Sequence, residues 1–244
     1  ESTSLDVSDG TNTSNGSANY DLDLTVTVGS ATKLKFTTPP PASVNAGVVW
    51  SSFGAGIFDL YGNPRISAGD TNTITITEDG PGTFSGTVSK PAVTGTATFN
   101  DISYPQVGGI NVTASSMGLT STPPSAVTIN PGTVSYLKLT APSSAITTGT
   151  SLELTITAYD IGDNVVTGYS GLKSLTFSGL ANSPDGNIPT VEGVNLSGPV
   201  PVTFAIGVSA VGGATLIATK VESASLDVSD GTNTSNASAS YALD

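Results

Sequence analysis

Apolar and polar residues alternate with a period of two along most of this chain, which is the side-chain period of a strand with one buried face. In residues 22–28, "LDLTVTV", Leu22, Leu24, Val26 and Val28 fall on one side and Asp23, Thr25 and Thr27 on the other. The stretch "SLELTITAYD" puts Leu152, Leu154, Ile156 and Ala158 on one side in the same way. Further runs of this kind are "KLKFT", "NTITIT", "TATF", "INVTA", "AVTI", "LKLT", "SLTFSG", "PVTFAI" and "ATLIAT", each bounded by Gly, Pro, Asn or Asp. No stretch keeps a 3.6-residue period beyond two turns. Many short strands at roughly ten-residue spacing predict an all-β fold of sheets packed face to face.

Repetition organises these strands. "SLDVSDGTNTSN" occurs at residues 4–15 and again at 225–236. Residues 1–23 and 222–244 agree at 19 of 23 positions, with changes only at Thr3/Ala224, Gly16/Ala237, Asn19/Ser240 and Asp21/Ala242, so the repeating unit is 221 residues. A fainter repeat lies inside it. "LKF" from Leu34 matches "LKL" from Leu137, Asp59 to Asn63 matches Asp160 to Asn164, "TATF" to Phe99 matches "PVTF" to Phe204, and "GGINVTA" from Gly108 matches "GGATLIA" from Gly212. The offsets are 103, 101, 105 and 104. They predict tandem immunoglobulin-like β-sandwiches at 32–131 and 133–244, joined through Asn130, Pro131, Gly132 and Thr133. In the first, "INVTA" is followed by a closing strand "AVTI"; in the second the last strand is missing. Residues 1–29 then read as the closing hairpin of a preceding or neighbouring copy of the second domain, with strands near 4–8 and 20–28. Leu22, Leu24, Val26 and Val28 become the strand between repeats or subunits. Either the chain continues on both sides, or each subunit donates residues 1–29 to its neighbour.

Composition narrows the chemistry. Seven basic and 19 acidic residues leave a net charge of −12, the wrong sign for holding a phosphate backbone, so nucleic acid is not an expected partner. With no Cys and no His, thiolate nucleophiles, imidazole bases, the usual zinc ligands and disulfides are all excluded. No run of about 18 apolar residues is present, so no membrane span is expected within these residues.

The stretch "LKFTTPPPASVNAG…FDLYGNP…GTATFNDISYPQVGGINVTAS" resembles the bacterial immunoglobulin-like (Big-type) tandem repeats of large cell-surface proteins. In the second domain "AYDIGDNVV" carries Asp163 where the first has a turn Gly, and it lacks the following Pro. The resemblance implies an exported, extracellular spacer or adhesive module, and no catalytic residues.

Several residues are candidates for chemistry. Calcium takes about six to eight hard oxygens, which Asp-rich turns offer: Asp59, Asn63 and Asp70 in the first domain, Asp160, Asp163 and Asn164 in the second, and Asp6, Asp9, Asp227 and Asp230 in the repeated segment. Asp and Asn are equally what turns need, because their side chains bond the local backbone. N-x-S/T triplets make Asn12, Asn15, Asn233 and Asn236 candidate glycosylation sites, with Asn111 and Asn195 besides. Setting Phe53, Ala55 and Ile57 inward predicts that Trp50 points outward, to a rim or domain contact, or to a sugar-stacking platform with Phe53, Phe58 and Tyr61. Lys35 and Lys138, on equivalent strands, are candidates for isopeptide crosslinks. The acidic residues fall on scattered turns instead of as a carboxylate pair on a cleft, so no enzyme activity is expected. The leading reading is a structural repeat segment of an extracellular filament, surface layer or stalk whose partner is itself. The alternative is an adhesin module that binds a glycan or a surface protein through exposed loops.

Overall fold

The structure, a computed structural model, describes residues 2–5, 8, 11, 22–66, 69–196 and 198–235. Among these the regular elements are all strands: β1 (Ser2–Leu5), β2 (Leu22–Thr25), β3 (Lys33–Thr38), β4 (Ser43–Asn45), β5 (Phe53–Phe58), β6 (Thr73–Glu78), β7 (Ser89–Pro91), β8 (Thr96–Phe99), β9 (Gly108–Ser115) and β10 (Ser125–Asn130) in the first half. They continue as β11 (Tyr136–Thr140), β12 (Ser151–Glu153), β13 (Thr155–Tyr159), β14 (Gly171–Ser178), β15 (Thr190–Val191), β16 (Val194–Asn195), β17 (Val200–Ala205), β18 (Val208–Ser209), β19 (Thr215–Ile217) and β20 (Asp227–Ser229). The fold class is all-β, in β-sandwich form.

In the first half a three-stranded sheet, β3-β5-β8, covers a five-stranded sheet, β4-β10-β9-β6-β7. The alternation reads directly as burial. β6 ("TITITE") turns Ile74 and Ile76 into the core, and β10 ("SAVTIN") turns Val127 and Ile129 into it. β4 pairs in parallel with the outer edge of β10, Val44 opposite Ile129. β5 ("FGAGIF") is buried on both faces, because its glycines let Thr37 lie across the strand; a Cβ at Gly56 would sit 2.7 Å from Thr37 Cγ2.

Trp50 corrects the sequence reading. It is 3% exposed and packs inward, edge-on to Phe84 at 5.4 Å and tilted against Phe53 at 6.0 Å. Residues 50–52 lie outside β5, so strand parity does not extend to Trp50, and the Trp50 backbone N–H donates to the Ile102 carbonyl at 2.7 Å, which draws its backbone onto the sandwich. Val48 and Val49 take the exposed positions instead. Phe53 is buried and Tyr61 lies in solvent, so the four aromatic residues form no common platform.

The second half packs around its own core, which includes Leu137, Leu154, Ile156, Phe177, Phe204 and Val228. Its strands are ordered β11-β13-β18-β17-β14-β20 and β12-β19-β15-β16. Hydrogen bonds establish which positions correspond between the halves, and two of the four sequence matches shift. Thr94 and Gly95 sit at positive φ in the tight turn before β8; Ile206 and Gly207 do the same before β18. β8 and β18 both pair with the strand that runs into the Asp turn, β5 and β13 respectively. β17 therefore stands where β7 stands, beside β14 as β7 is beside β6. "PVTF" and "TATF" occupy different places in the two sandwiches. "GGATLIA" contains β19, which pairs with β12 and β15, while the counterpart of β9 is β20, paired with β14 as β9 is with β6.

A side-chain signature seals that last assignment. In the first half Ala114 N–H donates to Thr122 Oγ1 at 2.9 Å, and Thr122 N–H returns to the Ala114 carbonyl. In the second, Val228 N–H donates to Ser235 Oγ at 2.8 Å, and Ser235 N–H returns to the Val228 carbonyl. Short Thr/Ser-rich strands resemble one another in sequence, so similarity alone paired the wrong ones.

β1 and β2 form a two-stranded antiparallel sheet of their own, with Ser2 opposite Thr25, Thr3 opposite Leu24, and Leu5 opposite Leu22. The β9–β10 hairpin has the same ladder, Gly109 opposite Thr128, Ile110 opposite Val127, and Val112 opposite Ser125. Residues 222–229 repeat residues 1–8 almost letter for letter and contain β20. The leading pair of strands thus has the register of the β9–β10 pair. Leu24 and Val26, which stand where Val127 and Ile129 stand, are 44% and 59% exposed, against 1% and 2% for those two.

Candidate functional site

Three of the Asp-rich turns, at Asp59, Asp160 and Asp230, form clasps. Asp59 follows β5, and its carboxylate, on a residue 1% exposed, accepts N–H groups from Tyr61 at 3.0 Å, Asn63 at 2.8 Å and Gly29 at 3.0 Å, and the Asn63 side-chain amide at 2.9 Å. Asp160, also 1% exposed, accepts from Gly162 at 2.9 Å, Asn164 at 3.0 Å, Gly132 at 2.8 Å and the Asn164 amide. The same Asp–Asn geometry recurs at Asp230 and Asn233, where the Tyr169 hydroxyl takes the outside position at 2.8 Å. Aspartate suits this role because an ionised carboxylate is acceptor-only and meets several converging donors.

Electrostatics follows from those donors. The Asn63 side-chain amide, helped by the N–H groups of Asn63, Gly29 and Tyr61, holds the Asp59 carboxyl far below the usual carboxylate range despite desolvation. Burial pushes Asp230 up, but the donors from Asn233, Thr232 and Tyr169 outweigh it and leave the group lowered. Burial first, then the nearby Asp230 carboxylate, raises the Tyr169 hydroxyl. Asp101 is lowered to about 2 by the Thr87 hydroxyl and by Lys90, whose ammonium lies 3.0 Å away.

The oxygens a calcium ion would use are therefore turned toward N–H donors at Asp59, Asp160 and Asp230. Asp163 accepts the Tyr136 hydroxyl at 2.6 Å, Asp227 accepts the Ser235 hydroxyl at 3.2 Å, and Asp70 pairs with Arg65 at 2.7 Å. Among the described residues no three acidic side chains converge. Asn63 and Asn164 serve the clasps. Of the glycosylation candidates, Asn233 and Asn111 direct their amide nitrogens to the carboxylates of Asp230 and Asp79, and Asn195 is exposed. Asn12, Asn15, Asn236, Asp6 and Asp9 lie outside the described residues. Lys35 sits over the Phe58 ring at 5.1 Å, and Lys138 is half-buried on β11.

Gly29 and Gly132 show what the clasps hold. Each lies in the segment that approaches a sandwich from the preceding strand, and each is gripped by that sandwich's buried aspartate. A backbone bond follows at the same spacing: Thr32 N–H to the Phe58 carbonyl at 3.0 Å, and Ser135 N–H to the Tyr159 carbonyl at 2.8 Å. Arg65 adds a hydrogen bond to the Gly29 carbonyl. Between the sandwiches Asn164 binds in both directions, its amide donating to the Pro105 carbonyl at 2.7 Å and its oxygen accepting the Val107 N–H at 3.2 Å. Only residues 131–135 separate β10 from β11. The repeated Gly-to-Asp spacing, 30 residues in one case and 28 in the other, was the signal in the sequence that carried this joint.

A second feature lies on the far side of the second sandwich. A groove of about 410 Å³ opens between residues 144–148 and 220–226, with Ile146, Leu152, Leu180, Leu216, Ala218 and Leu226 in its walls.

No protein-family model matches the chain. No curated protein matches it in sequence. Among solved structures, the adhesin InvE of Yersinia pseudotuberculosis aligns over 83% of this chain and 56% of its own, at 15% identity and a TM-score of 0.36. The Escherichia coli adhesin FdeC aligns over 85% of this chain and 62% of its own, at 21% identity and a TM-score of 0.36. InvD of Yersinia pseudotuberculosis aligns over 96% and 74%, at 18% identity and a TM-score of 0.35. The chain spans less than two thirds of InvE and FdeC, and to all three it is similar at low identity.

Proposed function

We infer that this chain is a segment of an exported bacterial surface protein of adhesin-type build, in which it works as a non-catalytic structural repeat of a filament, surface layer or stalk. The observation that carries the reading is the pair of equivalent clasps, Gly29 on Asp59 and Gly132 on Asp160. A linker of five residues gripped at its glycine and braced by Asn164 against Pro105 and Val107 has little freedom to hinge. Sandwiches joined in that way transmit position and tension along a polymer. The acidic, Cys-free, His-free composition fits an extracellular spacer that relies on packing and turn chemistry.

Small-angle scattering of the whole chain tests this reading. A single elongated envelope is expected for the native protein, and a broader distribution of shapes for Asn164→Ala, which removes the brace and keeps the Asp160 acceptor. A native chain as variable in shape as the variant would refute the fixed joint.

A further inference from the structure

We propose that the groove of the second sandwich is the seat for residues 22–28 of a second copy of this chain, whose Leu24 and Val26 complete its core. The proposal deepens the structural-repeat reading and rests on it for the meaning of the repeated ends. The geometry of the first sandwich defines the seat. There β10 lies between β4, with Val44 opposite Ile129, and β9, with Ile110 opposite Val127. The second sandwich has both walls of that slot. Gly47 N–H bonds the Tyr104 carbonyl and Val48 N–H the Asn45 carbonyl; Gly149 N–H bonds the Ala218 carbonyl and Thr150 N–H the Thr147 carbonyl in the same relation. Residues 145–147 therefore stand where β4 stands. Residues 222–226 lead into β20 as the first part of β9 leads into its second, which the Val228–Ser235 and Ala114–Thr122 bonds establish.

The groove lies between these two walls, where β10 lies in the first sandwich, and among the described residues no strand occupies it. The occupant is specified by the repeat. In the leading copy the strand paired with residues 2–5 is β2, in the β9–β10 register. Residues 223–226 repeat residues 2–5 with one change, Thr3 to Ala224, so the same partner suits them. Carried into the groove, Leu24 lies opposite Ala224, as Val127 lies opposite Ile110, and Val26 lies beside Ile146, as Ile129 lies beside Val44. Two side chains that are 44% and 59% exposed in the leading segment then take positions that are 1% and 2% exposed in the first sandwich. The strand also brings backbone partners to the edge it covers, the recognition mode of an added β-strand.

Because the chain contains no cysteine, disulfide trapping reads the register without background. Leu24→Cys with Ala224→Cys, in the full chain under mild oxidation, is expected to give a ladder of covalent multimers on a non-reducing gel. Leu24→Cys with Ser223→Cys, slipped by one residue onto the other face, is expected to stay monomeric. Absence of a ladder from the first pair, equal ladders from both, or a disulfide within one chain would each overturn the proposal. As a second measurement, Leu24→Asp/Val26→Asp changes only exposed positions. It is expected to keep the native melting midpoint and to abolish the concentration-dependent association of the unmodified chain in size-exclusion chromatography; association that persists unchanged overturns the proposal. An elongated scattering envelope with no ladder would sink strand donation and leave the spacer reading intact, while a ladder of hinged chains would do the reverse.

Discussion

Asp160→Ala tests the clasp at its most buried point. The substitution removes the acceptor of three backbone N–H groups, those of Gly132, Gly162 and Asn164, on a residue that is 1% exposed. The Asn164 amide keeps one partner, the Pro105 carbonyl. A hydrogen bond to a charged group contributes about 1.5–3 kcal/mol and an unsatisfied buried donor costs about 1–3 kcal/mol, but neighbours in one network do not add. With water reaching the Gly132 side of the vacated space, the net loss is about 3 kcal/mol. For a sandwich of this size that lowers the thermal midpoint by roughly 12–24 °C. Trp50, the single tryptophan, lies in the first core, so its fluorescence follows that sandwich alone, while circular dichroism follows both. The expected result in urea and on heating is an early dichroism transition from the second sandwich with the Trp50 transition almost in place. A loss below about 1 kcal/mol, or equal movement of both transitions, would refute the assignment of Asp160 as the lock of the second sandwich.

Further outcomes follow from the same geometry. Trp50→Ala leaves a cavity against Phe53 and Phe84 and is expected to cost about 3–5 kcal/mol in urea unfolding; a loss under 1 kcal/mol would return Trp50 to the surface. Asp59, Asp101 and Asp230 all titrate lower folded than unfolded, so their contribution is complete above about pH 4 and is lost as the pH falls through their folded values, near 2 for Asp101. The melting midpoint should be level from pH 7 to 5 and drop below 4, and a fall between 7 and 5 would contradict it, since there is no histidine to titrate there. Tyr169 is raised, so its contribution is present below about pH 10 and fades as the pH climbs toward its folded value. Because N–H donors fill the clasp carboxylates, a chelator or added calcium should leave the midpoint unchanged; a rise with calcium would mean that the clasps open to bind it.

Much of the candidate site was written in spacing. The aspartates at 59, 160 and 230 are each followed by an asparagine three or four residues on, and both the turn and the calcium readings use that pattern. What separates the readings is the direction of the surrounding N–H groups, which depends on where Gly29 and Gly132 are brought by the rest of the chain. Trp50 was misplaced because parity holds only along a continuous strand, and residues 50–52 precede β5 without belonging to it. The groove of the second sandwich was not visible in the sequence, because its walls come from segments more than 70 residues apart.

By itself the sequence determined the strand class, through the two-residue alternation of residues such as Ile74 and Ile76, and the repeating unit, through the identity of residues 4–15 with 225–236. Both are local properties, set by each residue and its near neighbours. Only the tertiary structure decided that β17 corresponds to β7 and β20 to β9, that Trp50 points inward, and that Asp59 and Asp160 grip the preceding linker. Strand pairing joins residues far apart in the chain, and many Thr- and Ser-rich segments satisfy the same alternation equally well. The choice among them is made by which pairing closes both cores and satisfies the backbone donors at the turns.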